Sequence, residues 1–164
     1  MGDLPLATDY TIGTSGFLLH NSLSLSLKRV STMSEFVILF HRTQESAERP
    51  DHWDLMIQDG DHLMTWALEI LPQPGCVIPA VRLADHRLAY LEYQGVLSGD
   101  RGEVTRWAKG KSFRLVEEGP GQVFQLAGSD FDWRVRITEC EGRRVSVGIE
   151  TWGEGQSPEL DKPV

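Results

Sequence analysis

The sequence is poor in cysteine. The two cysteines, Cys76 and Cys140, lie far apart and form no C-x-x-C pair. A fold stapled by disulfides and a zinc site built from thiolates are therefore not expected. We interpret the low cysteine content as typical of a reducing compartment and expect a cytoplasmic protein.

Long apolar runs and an excess of basic residues are also lacking. No run approaches the roughly 18 to 20 apolar residues that a membrane-spanning helix needs, so we expect a soluble protein with no membrane partner. Lys and Arg number 16 against 24 Asp and Glu, which gives a net charge of -8. Charge alone therefore does not favour a protein that coats long stretches of nucleic acid.

The chain does contain many short strand-like segments separated by turn residues. The candidate strands are 36–41, 52–58, 63–69, 81–84, 88–93, 103–107, 112–116, 122–126, 132–138 and 144–152. This spacing, without a long helical pattern, predicts an all-β protein. We favour a small antiparallel β-barrel of about eight strands, closed or partly open, because closure removes unpaired strand edges.

The 164 residues are enough for one domain and too few for two domains with separate cores. We expect the barrel to occupy residues 34–152. Residues 1–33 are interpreted as an appendage with an alternating but unpartnered segment at 22–27, and Met33 is a candidate start of translation. Residues 153–164 are polar and are predicted to form a disordered tail.

The segment 52–57 carries the clearest chemical signal. Side chains alternate between the two faces of a strand, so His52, Asp54 and Met56 share one face and the apolar residues between them share the other. An imidazole and a carboxylate two residues apart supply two ligands of a chelate. Taken alone, H-x-D on a strand is weak evidence for a metal site, because a surface histidine beside a solvated aspartate is the simpler interpretation.

Two further histidines complete a nitrogen and oxygen donor set suited to manganese, iron or zinc. His41 ends the apolar strand 36–41, and His86 follows Asp85 in the sequence D-H-R-L-A-Y. The simpler interpretations are a half-buried, hydrogen-bonded histidine at 41 and a capped turn at 85–86.

The segment 101–114 is locally basic. Five basic residues oppose only Glu103 there. We give equal weight to a solvated hairpin and to a surface that faces phosphate groups.

The order of these pieces resembles the phosphoesterase module of bacterial DNA ligase D. A strand ending in His41 precedes H-W-D at 52–54, D-G at 59–60, T-W-A at 65–67, D-H-x-L-x-Y at 85–90 and G-V at 95–96. That family has a strand ending in His, then H-Y-D, S-W-A and D-H-x-L-x-Y before G-V. The likeness covers about residues 35–102.

The resemblance implies a β-barrel with a divalent metal, typically manganese, with zinc as the alternative. It implies metal ligands at His41, His52 and Asp54, and catalytic roles for His86, which faces the phosphate, and Tyr90. The implied activity removes a 3′-phosphate or 3′-ribonucleotide from DNA ends during repair. The implied partners are nucleic-acid 3′ ends and a ligase or polymerase on a separate chain.

Two positions depart from the family pattern. Met56 and Ile78 occupy places where the family has arginines. Arginine binds phosphate through two parallel hydrogen bonds, which methionine and isoleucine cannot form. Another arginine must reach the pocket if phosphate is to bind. The arginines considered are Arg42, Arg49, Arg82, Arg87 and Arg101, of which Arg42, Arg82, Arg87 and Arg101 are the main candidates.

Two other functions remain open from the sequence. The same barrel can bind metal and DNA ends without turnover, a hypothesis that Met56 favours. The H-x-D pattern followed by a later histidine is also typical of mononuclear iron oxygenases, which use two histidines and one carboxylate.

Overall fold

The computed structural model describes residues 28–153, which form ten strands and one short 3₁₀ helix. The strands are β1 (Lys28–Arg42), β2 (His52–Asp59), β3 (His62–Leu68), β4 (Val77–Arg82), β5 (His86–Arg87), β6 (Gly95–Val96), β7 (Glu103–Val116), β8 (Gln122–Ala127), β9 (Asp132–Glu139) and β10 (Arg144–Thr151). The helix, Leu88–Leu91, lies between β5 and β6. No helix within 28–153 is long and apolar enough to cross a lipid bilayer. The predictions for 22–27 and for most of 153–164 lie outside the described residues.

Eight antiparallel strands close into a barrel in the order β1-β2-β3-β4-β10-β9-β8-β7, and β7 pairs back with β1. The short strands β5 and β6 attach to β3 and β7, outside the ring. The prediction of an all-β barrel of about eight strands is confirmed, in its closed form. Closure gives each strand of the ring two neighbours and leaves no free edge in it.

Apolar side chains fill the interior of the barrel. In β2, Leu55 and Ile57 point inward, as the alternating pattern predicts, and Phe36 and Ile38 do so from β1. The opposite half of the ring contributes Phe124, Leu126, Trp133, Val135, Ile137, Val145, Val147 and Ile149. Their burial from water supplies the main driving force for closure.

A second apolar layer covers the outer face of the barrel at β1, β2 and β3. It consists of Val37, Leu39, Met56, Leu63, Leu91, Leu97 and Val104, with Leu88 and Tyr90 packed against it. The segment between β4 and β7 thus buries the outer face of these strands. Burial on both faces explains why residues 36–40 are continuously apolar instead of alternating.

The strand predicted at 88–93 is wrong, because these residues begin with the 3₁₀ helix Leu88–Leu91. The amide groups of Glu92 and Tyr93 both donate to the carbonyl oxygen of Ala89, at 3.1 and 3.0 Å. Three-residue spacing places Leu88 and Leu91 on one side, where they join the outer apolar layer. The strand predicted at 81–84 likewise begins earlier, at Val77, and ends at Arg82.

Predicted strands 103–107 and 112–116 form one continuous strand, β7. The Lys109-Gly110-Lys111 segment is therefore not a turn. A Cβ atom on Gly110 would lie 2.0 Å from the carbonyl oxygen of Ala127, so the glycine permits close approach of β8. Trp107 is an extra residue in the β1–β7 pairing, since Ile38 pairs with Ala108 and Leu39 with Arg106, and this forms a β-bulge.

The N-terminal boundary predicted at residue 33 falls inside β1. The backbone of Lys28 already pairs with Val116, and Val30 pairs with Arg114. Strand pairing therefore begins five residues before Met33.

Candidate metal centre

His41, His52 and Asp54 meet on the outer face of the barrel, where β1 ends and β2 begins. His41 pairs directly with His52 in the β1–β2 ladder, and Asp54 lies two residues further along β2. One ligand atom from each residue lies within 4.8 Å of the others. The strands thus bring together the three residues that the family resemblance implies as metal ligands.

The carboxylate of Asp54 lies between the two imidazoles. Its Oδ2 atom is 3.4 Å from Nδ1 of His41, and its Oδ1 atom is 3.4 Å from Nε2 of His52. The ring centroids of the histidines are 4.7 Å apart, and their planes are tilted by 55°. The arrangement presents two nitrogens and a carboxylate to one point.

Backbone carbonyl groups orient both imidazoles. Nε2 of His41 donates to the carbonyl oxygen of Arg101 at 2.7 Å, and Nδ1 of His52 donates to that of Pro50 at 2.8 Å. A carbonyl oxygen only accepts, so these two nitrogens carry the protons. In the neutral rings the remaining nitrogens, which face Asp54, keep free lone pairs, as metal coordination requires.

The surroundings of Asp54 favour a bound cation. The residue is 3% exposed, and its Oδ1 atom has no hydrogen-bond partner among the described residues. In the neutral state of His52, this buried oxygen faces a nitrogen lone pair, and neither atom can donate to the other. A divalent ion would satisfy both acceptors, so the residues fit a metal on chemical grounds.

The two histidines also hold the carboxyl group of Asp54 in its ionised form. Burial raises the pKa of Asp54, but the interactions with His41 and His52 outweigh burial and lower it below its ordinary range. The hydrogen bond to Asp54 raises the pKa of His41, against the effect of burial. A proton on His41 therefore competes with a metal ion for the same site.

The cluster lies in a cavity of about 180 Å³ that also contains His86 and Tyr90. The Nδ1 atom of His86 donates to the carbonyl oxygen of Ala84 at 2.9 Å, which leaves Nε2 available. The two rings pack edge to face with centroids 5.1 Å apart. The rest of the wall is formed by Arg49, Met56, Leu83, Leu97, Arg101 and Val104.

Of the four main arginine candidates, only Arg101 lines this cavity. Arg82 is turned elsewhere, because its guanidinium pairs with Asp85 and donates to the carbonyl oxygens of Thr65 and Leu83. Arg42 and Arg87 are exposed and lie outside the cavity lining. Each follows a histidine of the cavity in a strand, so alternation directs its side chain away.

Arg49 lines the cavity, although it is not among the main candidates from the sequence. Its sequence signal was its position three residues before His52, which keeps its backbone within about 11 Å of that ligand. Ile78 does not line the cavity, because its side chain is fully buried in the barrel interior. Met56 is 1% exposed and lies on the cavity wall, so the departure at this position is the relevant one.

The basic segment 101–114 is mostly neutralised by carboxylates. Arg106 and Lys109 pair with Glu92, and Lys111 pairs with Glu35 at 3.2 Å. This favours the solvated interpretation for the segment beyond Arg101. Outside the cavity, His62 is half exposed and lies 3.4 Å from Asp85, while Cys76 and Cys140 are free thiols.

No protein-family model matches the chain, and no curated protein matches it significantly in sequence.

Proposed function

We propose that the chain is a metal-dependent phosphoesterase that processes the 3′ ends of DNA, removing a 3′-phosphate or a 3′-ribonucleotide. The observation that carries this proposal is the content of one cavity: a two-histidine, one-carboxylate group, a histidine with a free nitrogen, and arginine side chains. The motif order resembling the ligase D phosphoesterase module adds support.

His41 Nδ1, His52 Nε2 and the Asp54 carboxylate would hold the ion, which we propose to be manganese, with zinc as the alternative. Three protein ligands leave coordination positions free for water or a phosphate oxygen. When bound, a divalent ion supplies charge neutralisation at a phosphate oxygen and lowers the pKa of a coordinated water.

His86 is assigned to the phosphate and not to the metal. Its Nδ1 atom is held by the carbonyl oxygen of Ala84, and the ring of Tyr90 fixes the imidazole from the side. The free Nε2 atom can donate a hydrogen bond to a phosphate oxygen or a proton to the leaving alkoxide. Tyr90 lines the same wall and restricts the orientation of the imidazole.

The substrate is proposed to be a nucleic-acid end, with a ligase or polymerase on a separate chain completing repair. An end-processing site contacts few phosphates, so the net charge of -8 does not oppose this substrate. The ion-paired basic residues of β7 also fit a protein that contacts an end and not a long duplex.

A second candidate is a module of the same fold that binds metal and DNA ends without turnover. Met56 favours this candidate, because a thioether on the cavity wall cannot donate to phosphate. The two candidates differ in turnover and agree in metal binding.

Release of phosphate from a 3′-phosphorylated primer-template tests the proposal. We expect the manganese-loaded protein to release phosphate, and His86→Ala to reduce the rate about 100- to 10,000-fold while retaining the metal. His62→Ala is the matched control and should retain full activity, since His62 lies outside the cavity. Wild-type turnover equal to a manganese blank, with end binding retained, would support the binding module. Absence of both turnover and end binding in folded, metal-loaded protein would reject both candidates.

A further inference from the structure

Arg49 occupies a loop that joins the two strands carrying the metal ligands. β1 ends at Arg42 and β2 begins at His52, so residues 43–51 connect His41 to His52. The side chain of Arg49 lines the cavity together with both histidines. The loop therefore brings a guanidinium to the cavity beside the metal-ligand group, although the strand position that carries an arginine in the similar family is Met56 here.

The loop is held at both ends. The carboxylate of Asp51 accepts hydrogen bonds from the amide and the hydroxyl of Thr43, at 2.7 and 3.1 Å. Next to Arg49, the carbonyl oxygen of Pro50 accepts the Nδ1 proton of His52 at 2.8 Å. These contacts tie the backbone next to Arg49 to the metal centre, while the side chain of Arg49 itself is exposed at the cavity rim.

The guanidinium of Arg49 has no other partner within residues 28–153. Arg82, Arg106, Arg134 and Arg136 each pair with a carboxylate. Arg49 makes no hydrogen bond and no ion pair with a described residue, and among the arginines with that property it alone lines the cavity. A guanidinium with five free N–H donors in a cavity is suited to an oxyanion ligand.

Arg101 provides a second guanidinium in the same cavity. Its Nε and Nη2 atoms donate to the carbonyl and hydroxyl oxygens of Ser98, at 2.8 and 3.2 Å, which leaves three of its five N–H groups for a ligand. Among the described residues that line the cavity, Asp54 supplies the only carboxylate, and the histidines already engage it. The remaining charged groups of the cavity are therefore cationic.

We propose that Arg49, assisted by Arg101, binds the phosphate group of the substrate and takes the place of the arginine missing at Met56. This inference rests on the proposed phosphoesterase function. The ligand chemistry is a tetrahedral phosphate, either free or as the terminal ester of a nucleic-acid strand. Arg49 is a binding residue of this site, and its removal leaves the metal ligands intact.

The test measures phosphate binding separately from metal binding and turnover. Wild type, Arg49→Ala and Arg49→Lys are titrated by calorimetry with inorganic phosphate, with a 3′-phosphorylated oligodeoxynucleotide and with its 3′-hydroxyl counterpart. Arg87→Ala is the matched control, because Arg87 is exposed like Arg49 but lies outside the cavity. Manganese titration and circular dichroism establish that each variant is folded and metal-competent.

We expect Arg49→Ala to weaken binding of inorganic phosphate and of the 3′-phosphorylated strand about 10- to 100-fold, the usual range for hydrogen bonds to a charged group. Arg49→Lys should recover part of the loss, millimolar guanidinium should rescue Arg49→Ala, and manganese affinity should not change. The 3′-hydroxyl strand should bind all variants equally.

Two results would overturn this inference and leave the proposed function standing. One is a wild type that binds and hydrolyses the 3′-phosphate while Arg49→Ala matches it. The other is an equal loss in Arg87→Ala, which would indicate a general charge effect. A wild type that binds manganese but neither phosphate ligand would overturn the proposed function together with the inference.

Discussion

The Nε2 atom of His41 lies 2.7 Å from the carbonyl oxygen of Arg101, a contact that joins the end of β1 to the turn before β7. Gly102 makes this contact sterically possible. Its φ angle is +92°, and a Cβ atom there would lie 2.0 Å from the carbonyl oxygen of Arg42. The amide of Leu97 donates to the carbonyl oxygen of Gly102 at 2.8 Å and closes the turn. The orientation of a metal ligand thus depends on a glycine outside the ligand group.

We expect Gly102→Ala to weaken manganese or zinc binding about 10- to 100-fold, the usual effect of losing a group that orients a ligand. The added methyl group must push the turn away from β1, and the carbonyl oxygen of Arg101 moves with it. Gly60→Ala is the control, because Gly60 also has a positive φ angle, +62°, but no atom within 4 Å of its would-be Cβ. Equal metal affinities of the two variants by calorimetry would show that the turn does not orient His41.

Replacement of the ligands themselves should abolish stoichiometric metal binding. We expect His52→Ala and Asp54→Ala to bind less than one tenth of the wild-type manganese, zinc or Fe(II), since each removes one of three protein ligands. His62→Ala should bind as the wild type does. Metal analysis after gel filtration measures this outcome. Unchanged metal content in both ligand variants would show that His41, His52 and Asp54 form a buried ion-paired group and not a metal site.

The stability of the metal-free protein should depend on pH through the ionisation of His41 and Asp54. Asp54 raises the pKa of His41. The protonated His41 therefore stabilises the fold fully below about pH 6.5, and this contribution is lost as the pH rises through the raised pKa. Burial opposes ionisation of Asp54, but the histidines lower its pKa, so its stabilisation is present above about pH 4 and is lost as the pH falls through the lowered value.

We therefore expect the difference in Tm between wild type and Asp54→Asn, both without metal, to be largest between about pH 4 and pH 6.5. Metal binding releases the proton of His41, so manganese affinity should rise about tenfold per pH unit until His41 is deprotonated. A Tm difference independent of pH, or an affinity independent of pH, would contradict the coupling between His41 and Asp54.

Much of the fold could be predicted from local patterns. Alternation in 52–57 predicted which side chains enter the barrel, and Leu55 and Ile57 do so. The outer layer could not be predicted in this way, because Leu91 and Leu97 pack against residues of β1 and β2 that are distant in the sequence. Gly110 resembled a turn residue, since sequence alone does not distinguish a glycine that bends the chain from one that admits a neighbouring strand.

The candidate site was predictable where it followed strand geometry. His52 and Asp54 are two residues apart, and alternation alone places them together. The carbonyl oxygens that orient the imidazoles have no sequence signature, because every residue type has a backbone carbonyl group. Among the arginines, ion pairs formed in the folded chain decide which ones remain free, as the pairing of Arg82 with Asp85 illustrates.

A variant that begins at Met33 should retain the barrel. It keeps the pairing of Ser34 with Ser112 and all the later strand pairs. It loses three backbone pairs, which are Lys28 with Val116, Arg29 with Leu115 and Val30 with Arg114. We expect the free energy of unfolding to fall by about 1 to 2 kcal/mol, the net value of one or two hydrogen bonds. Urea denaturation beside a variant that begins at Lys28 measures the difference. A loss of several kcal/mol would assign these residues to the stable part of the barrel.

Met56→Arg should raise the affinity of the cavity for phosphate at some cost in stability. Met56 is 1% exposed, its strand neighbour across the ladder is Thr65, and neither Arg42 nor Arg82 reaches the cavity to occupy the same space. The larger, charged side chain should lower the free energy of unfolding by about 1 to 3 kcal/mol. Its guanidinium should lower the KM for a 3′-phosphorylated primer about 10-fold, as one additional charged hydrogen bond does. Met56→Leu, which keeps the apolar wall, is the control for both measurements. A folded Met56→Arg protein with the phosphate affinity and KM of Met56→Leu would show that position 56 does not face the bound phosphate.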